Sequence, residues 1–244
     1  MTGPVLILGA RSDIARATAR AFAAAGHPVQ LAARDTESLA ADQADLQTRS
    51  GVAVTLHDFD ALDTDGFEAF VDALPALPQI VVSAVGLMGE QATNEDDPDA
   101  ARTVIRTNFE GPALMLGLLA NRFAVRGSGT IVGISSVAGD RGRASNYIYG
   151  AAKAGFTAFL SGLRNRLAGQ GVHVVTVLPG FVNTAMTADM DTPGALTAEP
   201  GEVADAIVKA VKKSRNVIYV RRIWWLVMAI IRNIPEAIFK KTSI

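Results

Sequence analysis

Two side chains that can exchange protons stand one helical turn apart in the chain. Tyr149 and Lys153 lie four residues apart in an alanine-rich segment that is predicted to be helical through Leu167. Side chains at positions i and i+4 leave the same face of a helix, so the phenol and the ammonium are expected to be neighbours. Because an adjacent ammonium favours the phenolate, Tyr149, with a reference pKa of about 10, is expected to exchange a proton nearer neutral pH.

A third polar side chain, Ser136, follows the element that precedes this helix. The apolar run 130–134 predicts a buried strand, and Ser136 stands just beyond it. Parallel sheets present their reactive groups at the carboxyl ends of their strands. A hydroxyl at that edge can donate a hydrogen bond to a substrate oxygen.

The order of these residues resembles the active-site pattern of the short-chain dehydrogenase/reductase family. Ser136 is followed thirteen residues later by Tyr149, and Lys153 comes one helical turn after that. A tyrosine and a lysine at this spacing are common in helices, but further landmarks of the family stand in order on both sides, over about residues 3–220. The resemblance implies an α/β fold, a single doubly wound Rossmann-type parallel sheet flanked by helices on both faces, and hydride transfer with a nicotinamide dinucleotide.

Length and composition fit one such domain and narrow the choice of partners. The 244 residues are 49% hydrophobic with a mean hydropathy of +0.24, which is enough for a large core. A net charge of −1 and an isoelectric point near 6.3 give no reason to expect nucleic acid as a partner. The chain has no cysteine, and His27, His57 and His173 show no ligand spacing. We therefore expect no metal site and a cytoplasmic location.

The N-terminal region predicts a βαβ unit rather than a signal peptide. Residues 1–3 lack a basic segment, and the apolar run 5–8 is too short for a signal sequence. The pattern predicts a strand at 5–8, a helix at 15–25 and a second strand at 29–33. The turn between such a strand and helix brings backbone amides and a helix N-terminus onto a pyrophosphate.

This turn departs from the family pattern, which usually carries three glycines. Gly9 is kept, whereas Asp13 and Ala15 stand at the other two positions. A carboxylate repels a pyrophosphate, so we expect Asp13 to point away and cap the helix. Taken alone, the turn also suits a connection that binds no nucleotide. The resemblance implies that five of its residues bind the cofactor: Gly9, Arg11, Ser12, Asp13 and Ile14.

The end of the second predicted strand favours NADP(H) over NAD(H). NAD enzymes place an acidic residue there, whereas a neutral residue beside an arginine accommodates a 2′-phosphate. The chain has Ala33 followed by Arg34, and Arg11 in the turn supplies a second guanidinium. The alternative is that both arginines are solvated surface charges and that Asp35 acts as an NAD acceptor.

Further landmarks follow along the chain. Strands are predicted at 52–57, 80–82, 172–178 and 217–220, and helices at 36–50, 63–74, 99–125 and 201–213. The resemblance implies that Tyr149 and Lys153 also contact the cofactor, with Lys153 holding the nicotinamide ribose. It gives cofactor contacts to residues near the strand ends as well: Asp60 and Ala61 at the adenine, Gly86, and Pro179, Gly180, Val182 and Thr184 at the nicotinamide.

Asn108 is the fourth residue to which the resemblance gives a catalytic role. It lies inside the predicted helix 99–125, and Gly111 and Pro112 follow it, which predicts a kink that frees a carbonyl. The family's asparagine holds a water that links the active-site lysine to solvent; a kink needed only for helix packing is the alternative. A second departure is Ser83, which stands where the family usually has an asparagine that braces the central strand.

Three segments are expected to line the substrate pocket: 87–97, 140–146 and 185–200. The acidic stretch 89–99 is predicted to be a loop. The stretch 185–200 has two prolines and no periodicity, so we expect it to be a loop that closes over the substrate. The resemblance leaves the substrate open, because these segments are the variable part of the family.

The C-terminal residues 221–244 predict an amphipathic, basic extension beyond a Rossmann domain of residues 1–220. The nine apolar residues 223–231 include two tryptophans and have cationic flanks, but they are too few to span a bilayer. They suit a helix lying on the inner face of a membrane, or one that packs on another subunit of a dimer or tetramer. The first alternative is similar to a subgroup of the family, the decaprenylphosphoryl-2-keto-ribose reductases, which act on polyprenyl-phosphate-linked sugars.

These observations predict an NADP(H)-dependent enzyme that interconverts a ketone and a secondary alcohol, with Tyr149 as general acid/base. The substrate is a small molecule or a lipid-linked carbonyl compound, and the alternatives include a soluble small-carbonyl or 3-ketoacyl reductase. A different class of protein, a nucleotide-binding sensor or scaffold without catalysis, also uses such a fold. The presence of Asn108, Ser136, Tyr149 and Lys153 together favours an enzyme.

Overall fold

The computed structural model of the protein describes residues 2–188 and 190–242. Asp189, in the predicted loop 185–200, and residues 243–244 of the C-terminal extension lie outside the described residues. The strands are β1 (Val5–Leu8), β2 (Val29–Ala33), β3 (Val54–Asp58), β4 (Ile80–Ser83), β5 (Gly129–Ile134), β6 (Val172–Pro179), β7 (Phe181–Val182), β8 (Thr197–Ala198) and β9 (Val217–Val220). Seven of them form a parallel sheet in the order β3-β2-β1-β4-β5-β6-β9, and β7 pairs with β8.

Helices cover both faces of this sheet, as predicted. They are α1 (Asp13–Ala24), α2 (Ala40–Ser50), α3 (Phe67–Asp72), α4 (Gln91–Asp96), α5 (Pro98–Ile105), α6 (Gly111–Arg126), α7 (Tyr147–Leu167), α8 (Pro200–Lys212), α9 (Ile223–Asn233) and α10 (Glu236–Phe239). Successive residues of a strand point to opposite faces. In β1, Val5 and Ile7 therefore join the core with α1, α2 and α8, whereas Leu6 and Leu8 join the core with α3, α6 and α7. This is the doubly wound α/β architecture expected from the sequence.

The strand order reverses at β1, which pairs with β2 on one side and with β4 on the other. The connections after β1 and β4 consequently leave the sheet in opposite directions and open a crevice at its carboxyl edge. Such a switch point is where open α/β sheets bind their ligands. The loops after β5 and β6 reach the same edge, because these strands run parallel to β4.

Several predicted boundaries differ from the structure. The stretch 89–99 was expected to be a loop, but it contains α4 and the start of α5, whose first turn is capped by the Asp97 side chain accepting from the Asp99 amide at 2.9 Å. The predicted helices 36–50 and 63–74 each begin with a 3₁₀ turn. The predicted loop 185–200 contains two 3₁₀ turns and β8. The pairing of β8 with β7 returns this segment to the sheet edge, an arrangement that local periodicity does not reveal.

The kink predicted in helix 99–125 is present as a π-helical turn. Residues Arg106–Glu110 form this turn between α5 and α6, and Asn108 is fully buried in it. Gly111 packs so closely that an added Cβ would lie 2.0 Å from the Ala61 oxygen, so a larger residue cannot stand there. The turn thus carries Asn108 into the interior beside the crevice.

The C-terminal segment packs on the body of the protein through one face of α9. Trp224, Met228 and Ile231, spaced at i, i+4 and i+7, are buried against Val137 and Leu178. Arg141 fastens the end of this helix by donating from Nη1 to the carbonyl oxygens of Ile231 and Ile234, at 2.6 and 2.7 Å. Within the described residues, no helix is both long and apolar enough to cross a membrane.

Candidate active site

Ser136, Tyr149 and Lys153 meet at the carboxyl edge of the sheet, and Asn108 lies directly behind them. Ser136 follows β5, whereas Tyr149 and Lys153 both project from α7, as their spacing predicts. Gly86, in the loop after β4, marks where the groups converge. A Cβ added to Gly86 would lie 3.3 Å from Asn108 Oδ1 and 3.7 Å from Lys153 Nζ. The absence of a side chain at Gly86 therefore keeps the space beside these two groups open.

Lys153 is almost completely buried, with 3% of its surface exposed. Its Nζ donates a hydrogen bond to the carbonyl oxygen of Ile134 at 3.1 Å and lies 5.7 Å from the centroid of the Tyr149 ring. Removal from water disfavours the charged form of a lysine, so burial lowers the pKa of Lys153 to about 8. The lysine can therefore gain or lose a proton close to neutral pH.

Tyr149 is perturbed in the direction opposite to the prediction. Burial raises the pKa of Tyr149 to about 12, and hydrogen bonding with the Ser136 side chain opposes that rise. The expected net lowering of the Tyr149 pKa by Lys153 is not seen, because burial raises that pKa and the lysine donates its hydrogen bond to Ile134. Tyr149 is thus held as a neutral phenol, which is the proton-donating form.

The two consecutive serines after β5 have different tasks. Ser136 Oγ accepts from the Ala138 amide at 3.1 Å, which orients the hydroxyl at the start of a 3₁₀ turn. Ser135 Oγ faces α7 instead, at 3.0 Å from the Lys153 carbonyl oxygen and 2.7 Å from Thr157 Oγ1. Ser135 therefore fixes the helix that carries the tyrosine and the lysine, while Ser136 remains at the crevice.

Asn108 uses its amide to close the π-helical turn. Its Nδ2 donates to the carbonyl oxygens of Val104 and Leu87, and its Oδ1 accepts from the Leu87 amide at 3.3 Å. These bonds join the turn to the segment after Gly86. The water-holding role implied by the resemblance remains a prediction for this residue.

One cavity of about 350 Å³ connects the turn after β1 to the catalytic side chains. The predicted site residues that line it are Arg11, Ser12, Asp13, Ile14, Gly86, Ser136, Tyr149, Lys153, Pro179, Gly180, Val182 and Thr184. Five others do not line it: Gly9, Arg34, Asp60, Ala61 and Asn108. Parts of the three segments expected to form the substrate pocket also contribute to its wall, including Met88, Arg143 and Met186.

The turn after β1 has the shape of a nucleotide-binding turn, although Asp13 does not cap the helix. Gly9 has a φ of +79°, and an added Cβ would lie 3.0 Å from the backbone of Ala84, so the turn requires glycine there. Ser12 is the N-cap of α1, with Oγ accepting from the Ala15 amide at 3.2 Å. Asp13 instead accepts from the Ala185 amide at 2.9 Å, and this bond joins the turn to segment 185–200.

The residues expected to choose between the two dinucleotides lie at the surface. Arg11 Nη1 is 3.7 Å from Asp35 Oδ2, and both side chains are more than half exposed. Arg34 is also exposed, directly after β2. The aspartate that was weighed as an NAD acceptor is therefore paired with one of the two arginines that favour NADP.

Asp60 and Ala61 are engaged in local structure. Asp60 Oδ1 accepts from the Leu62 amide at 3.0 Å, which shapes the turn after β3. Ala61 is buried, and its carbonyl oxygen faces Gly111. Their contact with an adenine remains a prediction.

Trp224 is a wall of the cavity that the sequence analysis did not find. Its indole donates from Nε1 to the carbonyl oxygen of Leu196 at 2.9 Å and packs over Gly180, where an added Cβ would lie 1.9 Å from the indole. Both tryptophans were expected on a surface facing a membrane or another subunit. The helical spacing of Trp224, Met228 and Ile231 was the available signal that one face turns inward.

Arg143 and Asn146 also line the cavity, within segment 140–146 that was expected to line the substrate pocket, but neither residue had been given a role. They stand between Ser136 and Tyr149, in a stretch whose periodicity gives no direction to a side chain. Within the described residues, no group of three or more His, Asp or Glu side chains is arranged to hold a metal ion.

The fold and the site together define a Rossmann-type oxidoreductase. A doubly wound parallel sheet carries a serine, a tyrosine and a lysine on the cavity that begins at the nucleotide-type turn. The sequence profile of the short chain dehydrogenases matches residues 4–193. The chain therefore belongs to the short-chain dehydrogenase/reductase family, whose members use NAD(P)(H), and the predicted family is confirmed.

Comparison with individual proteins supports the same assignment. The chain is 36% identical over 241 residues to an uncharacterized oxidoreductase of Mycobacterium tuberculosis, covering 98% of this chain and 96% of that one. It is 35% identical over 192 residues to a sulfoacetaldehyde reductase of Chromohalobacter salexigens, covering 77% and 75% of the two chains. A short-chain dehydrogenase from Sphingobium yanoikuyae, solved in complex with NADPH, superposes with a TM-score of 0.78 at 26% identity over 96% of this chain and 97% of that one.

Proposed function

We propose that this oxidoreductase uses NADP(H) to interconvert a ketone and a secondary alcohol, with Tyr149 as the general acid/base. The observation that carries the proposal is the single cavity shared by the turn after β1 and by Ser136, Tyr149 and Lys153. A hydride donor held by that turn and a carbonyl held by the serine and the tyrosine can meet only in such a joined space.

The residues present fit a dinucleotide. Gly9, in a conformation that favours glycine, lets the backbone turn sharply before α1, and the N-terminus of that helix lines the cavity. The Asp13 carboxylate is engaged by the Ala185 amide, which offsets part of its charge. Further along, Gly86 leaves the wall beside Lys153 without a side chain, as close approach of a flat ring requires.

Each catalytic side chain has a task that follows from its surroundings. When bound, NADPH supplies the hydride for reduction of the carbonyl carbon. Tyr149, kept neutral by burial, donates its proton to the carbonyl oxygen, and the Ser136 hydroxyl donates a hydrogen bond to the same oxygen. Lys153 replaces the proton that Tyr149 gives up, since its pKa of about 8 lets it exchange protons near neutral pH, and a water held by Asn108 would link Lys153 to solvent.

Arg11 and Arg34 support the choice of NADP(H). Both arginines are exposed on the segments that follow β1 and β2, where a 2′-phosphate is bound in proteins of this architecture. The carboxylate of Asp35 lies within an ion-pair distance of Arg11, and a phosphate dianion competes for that guanidinium. The NADPH complex of the Sphingobium enzyme supports the same choice.

The proposal is tested by replacing the phenol while keeping the ring. In Tyr149→Phe, we expect NADPH oxidation with a panel of ketones and aldehydes to fall by about 100- to 10,000-fold, because the proton donor is lost. Tyr147→Phe is the matched control, since Tyr147 stands on the same helix but is 45% exposed. Binding of NADPH, measured by its fluorescence, should persist in both variants.

Two outcomes would overturn this assignment. Near-normal turnover in Tyr149→Phe would remove the tyrosine from the chemistry. Binding of NADPH by the wild type without turnover of any carbonyl in the panel would favour the sensor or scaffold that the sequence analysis kept open. The sulfoacetaldehyde reductase of Chromohalobacter makes small aldehydes a natural part of the panel.

We further propose that the protein works at the inner face of a membrane, on a lipid-linked carbonyl compound. The face of α9 that does not pack on the body exposes large apolar side chains, with Trp225 62%, Leu226 53% and Ile230 59% exposed. Arg222, Arg232, Lys240 and Lys241 around it are exposed as well. Exposed tryptophan with cationic neighbours suits an interface with anionic lipids. Packing of this surface on a second subunit, as in the predicted dimer or tetramer, is the competing use.

A further inference from the structure

The cavity wall near the start of α7 holds two buried polar atoms that have no hydrogen-bond partner. Among the described residues, no partner lies within reach of Arg143 Nε or of Asn146 Oδ1. Both side chains line the cavity that contains Ser136 and Tyr149. A buried donor or acceptor without a partner destabilises the folded protein, so its retention calls for a reason.

The charged groups around Arg143 are committed to other contacts. The carboxylate of Asp140 accepts from the Tyr219 hydroxyl at 2.9 Å. Arg141 donates to carbonyl oxygens at the end of α9 and to Glu236, at 2.9 Å from its carboxylate. No carboxylate of the described residues lies within ion-pair distance of Arg143, although Asp140 is near enough to act on its charge. Arg143 is therefore a cation on the cavity wall that the fold itself does not neutralise.

The physical state of Arg143 agrees with this account. Burial lowers the pKa of the Arg143 guanidinium below its ordinary value, which reflects lost hydration, and Asp140 only partly offsets the effect. A guanidinium remains charged at any physiological pH, so the arginine cannot relieve its burial by losing a proton. An anion brought into the cavity can supply the missing hydrogen bonds and the missing charge together.

We infer that Arg143 is a specificity residue that binds an anionic group of the carbonyl substrate, a carboxylate, sulfonate or phosphate. The inference rests on the proposed carbonyl reduction and names the class of substrate for it. The planar fork of the guanidinium suits each of these oxyanions. Asn146, one turn before Tyr149, offers a neutral hydrogen-bonding group to a neighbouring polar atom of the same substrate. Arg143 thus sets which carbonyl compounds are held before Tyr149.

The same polar environment disfavours plain apolar ketones. A neutral substrate that fills the cavity displaces water from the Arg143 guanidinium without supplying a counter-charge, and that penalty is greatest for a charged donor. A site built around a polar group of its substrate rejects an analogue that lacks the group more strongly than an apolar pocket does. Discrimination should therefore appear between pairs of carbonyl compounds of which only one member carries an anionic group.

The experiment measures kcat/KM with NADPH for two matched pairs: levulinate with methyl levulinate, and dihydroxyacetone phosphate with dihydroxyacetone. The wild type is expected to prefer the anionic member of at least one pair. In Arg143→Gln, we expect kcat/KM for that anion to fall by about 10- to 100-fold, the equivalent of one lost charge-assisted hydrogen bond, with the neutral member nearly unchanged. Arg143→Lys keeps the positive charge but lacks the planar guanidinium. Its kcat/KM for the anion should lie between those of the wild type and Arg143→Gln.

Arg166→Gln is the matched control, because Arg166 is an exposed arginine near the end of α7 that does not line the cavity, and this variant should change neither pair. Calorimetric titration of the NADP⁺-saturated protein with levulinate and its ester gives a readout without turnover. Equal kcat/KM for both members of each pair in the wild type, or an equal fall for both in Arg143→Gln, would overturn the inference. Failure of every carbonyl compound to turn over would instead refute the proposed reaction, while preferential binding of levulinate would still uphold Arg143 as an anion site.

Discussion

At the scale of single residues, the catalytic pair is governed by burial rather than by mutual attraction. Tyr149 and Lys153 share one face of α7, but their pKa values are shifted to about 12 and about 8, each toward the neutral form. For Lys153, the unfolded chain binds more protons than the native state between the two pKa values, so this residue adds stability as the pH rises from about 8 toward its ordinary value of 10.5. Tyr149 acts in the opposite sense above its ordinary pKa of 10.0, because the native state then holds the proton more tightly.

The first prediction concerns the ionisation of Tyr149 in the nucleotide-free protein. Difference absorbance of the phenolate, wild type minus Tyr149→Phe, should show no titration of this residue below about pH 10. The physical reason is the burial that raises its pKa to about 12. A midpoint near neutral pH would mean that Lys153 lowers the tyrosine pKa after all.

A second prediction at this scale concerns the choice of nucleotide. Arg34→Ala, and Arg11→Ala, should each raise the KM for NADPH by about 10-fold or more, since one charge-assisted contact with the 2′-phosphate is lost. The KM for NADH serves as the internal control and should change little. Asp35→Asn should act in the reverse direction, because it releases Arg11 from its ion pair. A parallel loss for both nucleotides would place the two arginines outside the phosphate site.

Residues whose placement depends on spacing along a helix could be predicted from the sequence. Tyr149 and Lys153 could be placed on one helical face, and Asn108 in a kink, because both statements follow from helix geometry and local composition. Sequence reasoning failed for Asp13, since the choice between capping a helix and accepting from the Ala185 amide depends on a segment 172 residues away. It also missed Trp224 and gave no role to Arg143 within the expected pocket segment 140–146, because the directions of both side chains are fixed only when the loops pack.

At the scale of elements, Ser83 and Ser135 differ in how their hydroxyls are bonded. Ser83 ends β4, and Ser135 begins the loop after β5. Ser83 is buried in a central strand, and its Oγ has no hydrogen-bond partner among the described residues. Ser135 is equally buried, but its hydroxyl bonds both the Lys153 carbonyl and Thr157. The loss of the bracing asparagine at position 83 thus leaves β4 without a side-chain tie.

The third prediction uses this contrast. Ser83→Ala should leave the free energy of unfolding unchanged or raise it by up to about 1 kcal/mol, because an unpaired buried hydroxyl is removed. Ser135→Ala should lower it by about 1 kcal/mol, because two hydrogen bonds to α7 are lost. Urea unfolding of both variants gives the comparison. An equal loss in the two variants would show that Ser83 has a partner, and would contradict the account of β4.

Most elements could be predicted because their hydrophobic patterns are strong. The strands of the sheet appear near their predicted positions, since four to eight apolar residues between turns suit a strand buried on both faces. The exceptions are short or polar: α4, with the sequence Gln91–Asp96, contains no apolar stripe, and β8 has two residues. Such elements exist because of their tertiary partners and leave no local signal.

At the scale of the whole molecule, the C-terminal helix serves two surfaces at once. Its inner face completes the cavity through Trp224, whereas its outer face exposes apolar side chains. Removing residues after Arg222 therefore alters the active site along with any membrane-binding surface. Point substitutions on the outer face separate the two effects, and the division into residues 1–220 and an extension remains a prediction.

The fourth prediction addresses that outer face. Full-length protein should co-sediment with vesicles containing anionic phosphatidylserine, and the double variant Trp225→Ser, Ile230→Ser should remain in the supernatant, because the buried apolar area is lost. Val125→Ser, at a residue 92% exposed on α6, is the matched control and should still sediment. If the wild type stays in solution and the double variant changes the oligomeric mass, α9 is a subunit interface and the membrane proposal fails.

The contact between Gly180 and Trp224 has a consequence for how such chains diverge. Since a methyl group at position 180 and the indole at position 224 cannot occupy the same space, substitutions at these two positions are coupled. A larger residue at position 180 therefore requires a smaller side chain at position 224 or a displacement of the indole. The shape of the cavity beside Pro179 therefore depends on a residue of α9, forty-odd positions later in the chain. Homologous sequences should show positions 180 and 224 covarying.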